Sequence, residues 1–348
     1  MNLIPIEHKI FDHDNYPYRV FLSYDKDDVE DARLLFDRLR RLHLRPVWDH
    51  HTPAGWRFLD EIKKKIDHSH VFIPFLTRKS KRSTWVNHEI GYAMGRNVPV
   101  LPLSLGPLPE GMARELEAVV AKDMQTLLRR LTRGRIKRLV KDAEAAAVYE
   151  CADLADTRTD EIIKHCKQVE AFTSNHRQPL RHVAAFGSFS IPVDPNDPIW
   201  KWRDANKLLS PERRERLSKE RRKLEAYAKR FGCDLVLYPT LKKLTKRRVQ
   251  TRKRVLQSFL QSMQVAGTPV RVAFDKRGLD ENLIIVGDWF LVESFTPRDE
   301  GYRHTTITNH APTVLKRIEA FDRQFEKCKW LSPEKAIRRL EKSFRTIL

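Results

Sequence analysis

Trp85 and Glu89 stand four positions apart in the stretch Ser83–Ala93, STWVNHEIGYA. The stretch contains no proline and its apolar residues recur at about 3.6-residue spacing, so it predicts a helix with both side chains on one face. A carboxylate is thereby held beside an indole. The chemistry open to such a pair is electrostatic: next to an aromatic wall that keeps water away, a carboxylate acts on nearby positive charge more strongly than it does in bulk water. Two plainer readings stand beside this one. Glu89 is also placed to be an exposed helix carboxylate paired with Arg82 or His88, and a helix facing a sheet buries large apolar side chains such as Trp85 for packing alone.

The elements that must position this pair come before and after it. Tyr18–Tyr24 is a short apolar run that reads as a buried strand delivering Ser23, Tyr24 and Asp25 to its C-terminal end. Asp27 and Asp28 suit a helix N-terminus, and Val29, Ala32, Leu35, Phe36, Leu39 and Leu42 then repeat at helical spacing. Arg45–Asp49 is a second strand, followed by a loop, His50–Gly55, punctuated by Pro53 and Gly55. A helix over Phe58–Asp67 leads to a third strand, Val71–Leu76, then the polar loop Thr77–Ser83, the helix of Glu89, and a fourth strand over Pro99–Leu105. This alternation predicts a parallel sheet wrapped by helices, with functional loops at the C-terminal ends of the strands.

Four of these segments carry a resemblance. FLSY at 21–24, the loop HHTPAGW at 50–56, the apolar strand at 71–76 and S-x-W-V-x-x-E at 83–89 together resemble a Toll/interleukin-1 receptor (TIR) domain over residues 16–106. The resemblance implies a flavodoxin-like α/β fold and one of two roles: a self-associating adaptor, or an enzyme that cleaves NAD at the nicotinamide–ribose bond. The enzymatic branch carries its catalytic glutamate in a W-x-x-x-E motif on the helix after the third strand, which here is Trp85 to Glu89. The residue types suit that reaction. Breaking the bond passes through an oxocarbenium-like state that a carboxylate stabilises, and the pyridine departs neutral, so no general acid is needed. Trp85, Trp56 and Phe21 are candidates for the nicotinamide wall or its support, Ser23 and Asp25 for hydrogen bonds to ribose, and Arg57 or Lys81 for the diphosphate. NAD enters as substrate, with no cofactor and no metal.

Length and charge bound what surrounds the domain. With 348 residues, 41% of them hydrophobic, the chain fills more than one core. No run of 18 apolar residues and no signal-peptide pattern at Met1–Lys9 is present, and Cys151, Cys166, Cys233 and Cys328 lie far apart, so a cytoplasmic protein without membrane span, zinc site or disulfide framework is expected. The net charge is +20, yet residues 19–96 hold 16 Lys/Arg against 11 Asp/Glu, so most of the excess lies elsewhere. Residues 129–142 carry seven basic side chains and one acid, and residues 242–254 carry eight and none. Such runs either neutralise phosphates or are solvated helix faces, and no aromatics interleave them for base stacking.

Beyond Gly106 the composition shifts. Residues 1–15 read as an N-terminal extension, and Pro107 and Pro109 are expected to end the first fold. Residues 107–200 read as a helical connector, its stripe of Leu116, Val119, Val120, Met124, Leu127, Leu128 and Leu131 running into the basic run, followed by a turn-rich link at 186–200. Residues 201–348 read as a second, smaller α/β domain. Ser210-Pro211 opens a long helix to about Arg230, and strands are expected at Asp234–Pro239 and Val270–Phe274. A hairpin follows, with arms Asn282–Asp288 and Trp289–Ser294. From Pro312 a last helix carries the stripe Val314, Ile318, Phe321 and Phe325. The hairpin resembles the phospholipase D-like half-fold, whose strand bears H-x-K-x-x-x-x-D. Alignment on Asp288 puts Glu281 and Leu283 at the histidine and lysine positions, so the implied copy is catalytically dead and suited to recognition. His304 and His310 read as surface histidines rather than a metal pair.

Two functions follow from the resemblance. One is an NAD hydrolase or ADP-ribosyl cyclase of the prokaryotic immune-effector type, self-associating through its TIR domain. A nucleic acid or nucleotide trigger at the basic C-terminal region would activate it. The other is a non-catalytic scaffold that joins TIR domains in signal transduction.

Overall fold

The computed structural model describes residues 18–48, 56–80, 83–106, 109, 113–114, 116–145, 150–152, 155–170, 178–184, 187–203, 209–238, 246–275, 281–295 and 304–345. The chain divides into two compact units, Met1–Val148 with Asn309–Leu315, and Tyr149–Thr308 with Lys316–Leu348.

The first unit runs β1 (Arg19–Ser23), α1 (Val29–Arg41), β2 (Arg45–Trp48), α2 (Trp56–Asp67), β3 (Val71–Leu76), α3 (Thr84–Gly95), β4 (Leu103–Leu105), β5 (Val119–Ala121), α4 (Met124–Arg130) and α5 (Arg133–Ala145). Its five strands are all parallel in the order β2-β1-β3-β4-β5, the flavodoxin-like doubly wound arrangement. β1 and β3 are buried along their whole length, as unbroken apolar runs must be when helices cover both faces of a sheet. The period of two then sorts their side chains. Val20 and Leu22 join Val71, Ile73 and Phe75 in one core with Leu35 and Leu39 of α1 and Leu127 and Ile136 of α4 and α5. Phe21 and Phe72 lie in the other, with Ile62 and Ile66 of α2 and Val86 and Ile90 of α3.

The expected end of this domain at residue 106 is corrected by β5. Val119–Ala121 pairs in parallel with β4, Leu103 opposite Val119, and α4, α5 and the turn between them bury Leu127, Leu131, Ile136 and Val140 in the first core. The stretch read as continuous helix therefore contains an edge strand. No separate connector exists among the described residues: those from 109 to 145 belong to the first unit and those from 150 to 203 to the second.

The second unit is the longer of the two, not the smaller. In chain order it holds β6 (Glu150–Ala152), α6 (Ala155–Glu170), β7 (Leu180–Ala184), α7 (Trp200–Arg203), α8 (Pro211–Phe231), β8 (Cys233–Leu237), α9 (Lys246–Val265), β9 (Val270–Phe274), β10 (Glu281–Val286), β11 (Phe290–Phe295) and β12 (His304–Thr308). Most of α10 (Ala311–Lys327) and all of α11 (Pro333–Arg345) complete it. Its seven strands are ordered β6-β12-β11-β10-β7-β8-β9; β7, β8 and β9 are parallel and the rest antiparallel. Ser210 caps α8 by accepting from the Arg213 N–H at 3.3 Å, with Pro211 at the first helical position, as its residue types dictate. The hairpin β10–β11 and the stripe Val314, Ile318, Phe321 and Phe325 form where expected.

One buried histidine in this sheet has a defined protonation state. His182 on β7 is 2% exposed; its Nδ1 lies 2.7 Å from the Leu283 carbonyl and its Nε2 accepts the Ser188 N–H at 3.1 Å. Both bonds form only in the neutral ring with hydrogen on Nδ1. Burial drives its pKa down to about 4, outweighing the opposite pull of the Leu283 carbonyl. The unfolded chain, with an ordinary histidine, takes up a proton as pH falls below about 6.5 while the folded chain does not. Stability from this site is thus full above the unfolded pKa and is lost as pH falls toward 4. Urea unfolding of the second unit is expected to lose about 2 kcal/mol between pH 7 and pH 5 from this group, and His182→Gln should flatten that dependence.

Candidate functional site

β1 ends at Ser23, beside Pro74 of β3. The chain turns away from β1 in two directions across the sheet, to β2 on one side and to β3 on the other. A crevice opens outside the carboxyl ends of the strands where the strand order reverses in this way, and open α/β sheets place their ligands there. Three loops meet at this edge: the turn after β1, the turn after β3, and the start of α3.

The turn after β1 is built by its acids. Asp25, half-buried, accepts the Asp27 N–H at 3.1 Å and caps the single 3-10 turn Lys26–Asp28. Asp28 is 5% exposed and accepts from the Thr77 hydroxyl at 2.7 Å. Burial raises its pKa above the usual carboxylate value, against the opposing pull of the Thr77 hydroxyl and Lys79. Thr77 is itself locked to Ser80: its N–H donates to the Ser80 hydroxyl at 2.6 Å and its hydroxyl accepts the Ser80 N–H at 3.1 Å. Asp28 therefore ties the β1–α1 turn to the β3–α3 turn. Sequence reasoning missed this linkage, because Asp27-Asp28 reads as helix-end charge and Thr77 to Ser80 reads only as a polar loop.

α3 then supplies the carboxylate. Its buried residues are Val86, Glu89, Ile90 and Ala93, the i, i+3, i+4, i+7 stripe of a helix pressed on a sheet. Glu89 thus occupies a core-facing position, where an ionised carboxylate is costly without donors. Ser23 is one such donor: its hydroxyl donates to Glu89 Oε2, with Ser23 3% and Glu89 6% exposed. The tip of β1 and the middle of α3 are joined through this bond. Glu89 does not stand on an open helix face, since the carboxylate is buried at the sheet edge; Arg82 lies outside the described residues.

The remaining candidates fall at different depths. Trp85 is half-buried and packs against the core of Phe21, Ile62, Phe72, Val86 and Ile90, one helical turn from Glu89. Phe21 has no exposed surface and stacks on Phe72 with ring centroids 5.7 Å apart, so it supports the site from below and is no part of a wall that touches ligand. Ser23 and Glu89 meet, with Trp85 on the same helix as Glu89; Asp25 belongs to the same edge but spends one oxygen as a cap. The side chains of Trp56 and Arg57, and all of Lys81, lie outside the described residues.

Among the described residues no cluster of three or more His, Cys, Asp or Glu is placed to hold a metal. Cys166 and Cys233 are free and buried, and burial pushes both thiols up, away from reactive thiolate. No described helix is long and apolar enough to cross a membrane. What the edge offers chemically is the buried Glu89 carboxylate with a hydroxyl donor and an indole one helical turn away, beside the buried Asp28 carboxylate committed to Thr77.

Residues 20–140 match the family model described as "TIR domain". The match runs past the expected boundary at 106 and takes in β5, α4 and most of α5, in agreement with the strand pairing. No curated protein matches the chain.

Proposed function

From the premise that residues 20–140 are a TIR domain, we propose that the chain cleaves the nicotinamide–ribose bond of NAD, with Glu89 as the catalytic carboxylate. The observation that carries this reading is the burial of Glu89 at the switch point of the first sheet, held there by the Ser23 hydroxyl. A carboxylate kept at a core-facing helix position costs stability that an apolar residue there would not, and this one lies at the strand ends where open α/β sheets bind their ligands. The half-buried indole of Trp85 gives the flat surface that a pyridinium ring stacks on.

In the reaction the C1′–N bond breaks and its electron pair goes to the pyridine nitrogen, which leaves neutral. Positive charge then sits on the ribose ring, where the Glu89 carboxylate stabilises it. Water adds to C1′ and gives up a proton, yielding ADP-ribose; attack by the adenine ring instead yields the cyclic product. Ser23 orients Glu89 through its one donor, and the lone pairs of its hydroxyl remain available to accept from a ribose hydroxyl. Asp25 keeps its second oxygen for the same task.

Ser23 acts as a positioning residue in this scheme. Ser23→Ala removes a charge-assisted hydrogen bond, so nicotinamide release should fall roughly 10- to 100-fold. Loss of a donor raises the pKa of a carboxylate, so the acid limb of the kcat/KM profile should move to higher pH. An unchanged limb would leave Ser23 a merely structural contact.

The domain's setting extends the proposal. NAD turnover is assigned to the cytoplasm, in keeping with the free buried thiols, and to copies associated through their TIR domains, with the second unit sensing the trigger of an immune effector. The test is nicotinamide release from NAD by the full chain, assayed over a range of protein concentrations because a site completed between copies is silent when dilute. Activity rising more steeply than protein concentration supports the reading. No release at any concentration would leave a scaffold that joins TIR domains.

A further inference from the structure

The basic run at 129–142 has an ordinary reading, a solvated helix face, and the ion pairs of the two units separate that reading from another. On α8, also rich in cations, carboxylates answer more than half of them: Arg221 and Lys229 pair with Glu225, Arg222 with Glu215, Lys223 with Glu170 and Arg216 with Asp160. α5 differs. Its Ile136 and Val140 are buried in the first core, while Arg133 in its first turn and Lys137, Arg138 and Lys141 stand exposed, with Asp142 the one exposed acid among them. Among the described residues none of these four, nor exposed Lys122 before α4, forms an ion pair or a side-chain hydrogen bond. Arg135 alone on this helix is answered, by Glu117 at 2.9 Å.

The unpaired cations are also set against the helix's own interest. Arg133, Lys137 and Lys141 follow at i, i+4 and i+8, about 6 Å apart along the axis, and like charges at that spacing repel and weaken a helix. A face that merely needed solubility would be served by alternating signs. We propose that this exposed face of α5, together with Lys122, binds the phosphate backbone of double-stranded nucleic acid without reading its sequence.

The chemistry of the face selects that partner. No aromatic residue lies between residues 122 and 145, so the stacking on which single-strand binders rely is missing. None of the large exposed apolar residues of the described chain lies on α4 or α5, and the apolar side of α5 is committed to the core, so nothing here enters a lipid surface. What remains is a row of guanidinium and ammonium groups with no base-reading amides among them, the equipment of backbone contacts that position without specifying. The inference is independent of NAD cleavage: Glu89→Gln should bind duplex as the wild type does.

The experiment measures fluorescence anisotropy of a labelled 20-base-pair duplex of arbitrary sequence with the full chain at about 50 and 200 mM salt. If four to five phosphates are neutralised, log K falls with log salt at a slope near −4, a loss of roughly 10²–10³-fold over that range. Lys137→Glu with Arg138→Glu and Lys141→Glu should bind at least about tenfold more weakly at the lower salt, with a slope shallower by about three. The corresponding glutamine triple, which avoids new charge, should fall between. Undiminished binding by both triples, a single strand of equal length bound more tightly than the duplex, or phosphatidylserine vesicles bound in preference to it would each overturn the proposal.

Discussion

Glu89→Gln is expected to lower the rate of nicotinamide release by about 10²–10³-fold while leaving the fold intact. The substitution is chosen because glutamine matches the volume of the side chain and its carbonyl can still accept the Ser23 hydroxyl, so only the negative charge is lost. In the proposed reaction the charge acts on a cation that exists only as the C1′–N bond breaks, so the loss should appear in kcat with KM little changed. Glu89→Ala removes the charge as well but leaves a void between α3 and the tip of β1, mixing a packing effect with the chemical one. Equal product from wild type and the glutamine variant would remove the carboxylate from the reaction.

The second large effect concerns folding. Glu220→Ala is expected to destabilise the second unit by about 3–5 kcal/mol. Glu220 lies on α8 with no exposed surface, and three donors converge on it: Arg158 Nη1 at 3.3 Å, the Thr159 hydroxyl at 2.9 Å and the Ser188 hydroxyl at 3.0 Å. α6 and the turn after β7 are thus anchored on one carboxylate. Its removal strands the Arg158 guanidinium in a dry setting and leaves two buried hydroxyls without their acceptor. The measurement is urea unfolding of the full chain followed at the second unit's transition. Glu220→Met combined with Arg158→Met should cost less than the two single changes together, because no uncompensated charge is left behind. Additive losses would contradict the coupling.

Particular residues show why some of this was legible in the sequence and some was not. β1 and β3 stood out because strands covered on both faces become unbroken apolar runs bounded by polar loops. α3 stood out because Trp85 and Glu89 share a helix face. β5 did not, since three residues at a sheet edge are too short to display a period, and Leu116, Val119 and Val120 happen to continue a helical spacing into α4. β7 hid for a different reason: Arg181 and His182 are polar residues in a fully buried strand. Their cost is met by partners distant in sequence, Asp322 for Arg181 and the Leu283 carbonyl for His182, which local reading does not reveal. The site divides the same way. Glu89 follows from a motif, whereas the Ser23–Glu89 bond and the Asp28–Thr77 tie join segments 66 and 49 residues apart and exist only once the sheet has formed.

The basic runs carry a related lesson. Composition alone makes α5 and α8 look alike, and only the positions of the carboxylates separate a helix most of whose cations are answered from one with a single answered cation.

The most direct measurement on the central claim is a crystal structure of the Glu89→Gln variant with NAD bound, since the proposal predicts that this variant leaves NAD intact. The account predicts the nicotinamide ribose at the C-terminal edge between β1 and α3, with C1′ or a ribose hydroxyl within about 3–3.5 Å of the residue-89 side chain and the pyridinium against Trp85. NAD bound at another edge of the sheet, or with its nicotinamide turned away from residue 89, would contradict it.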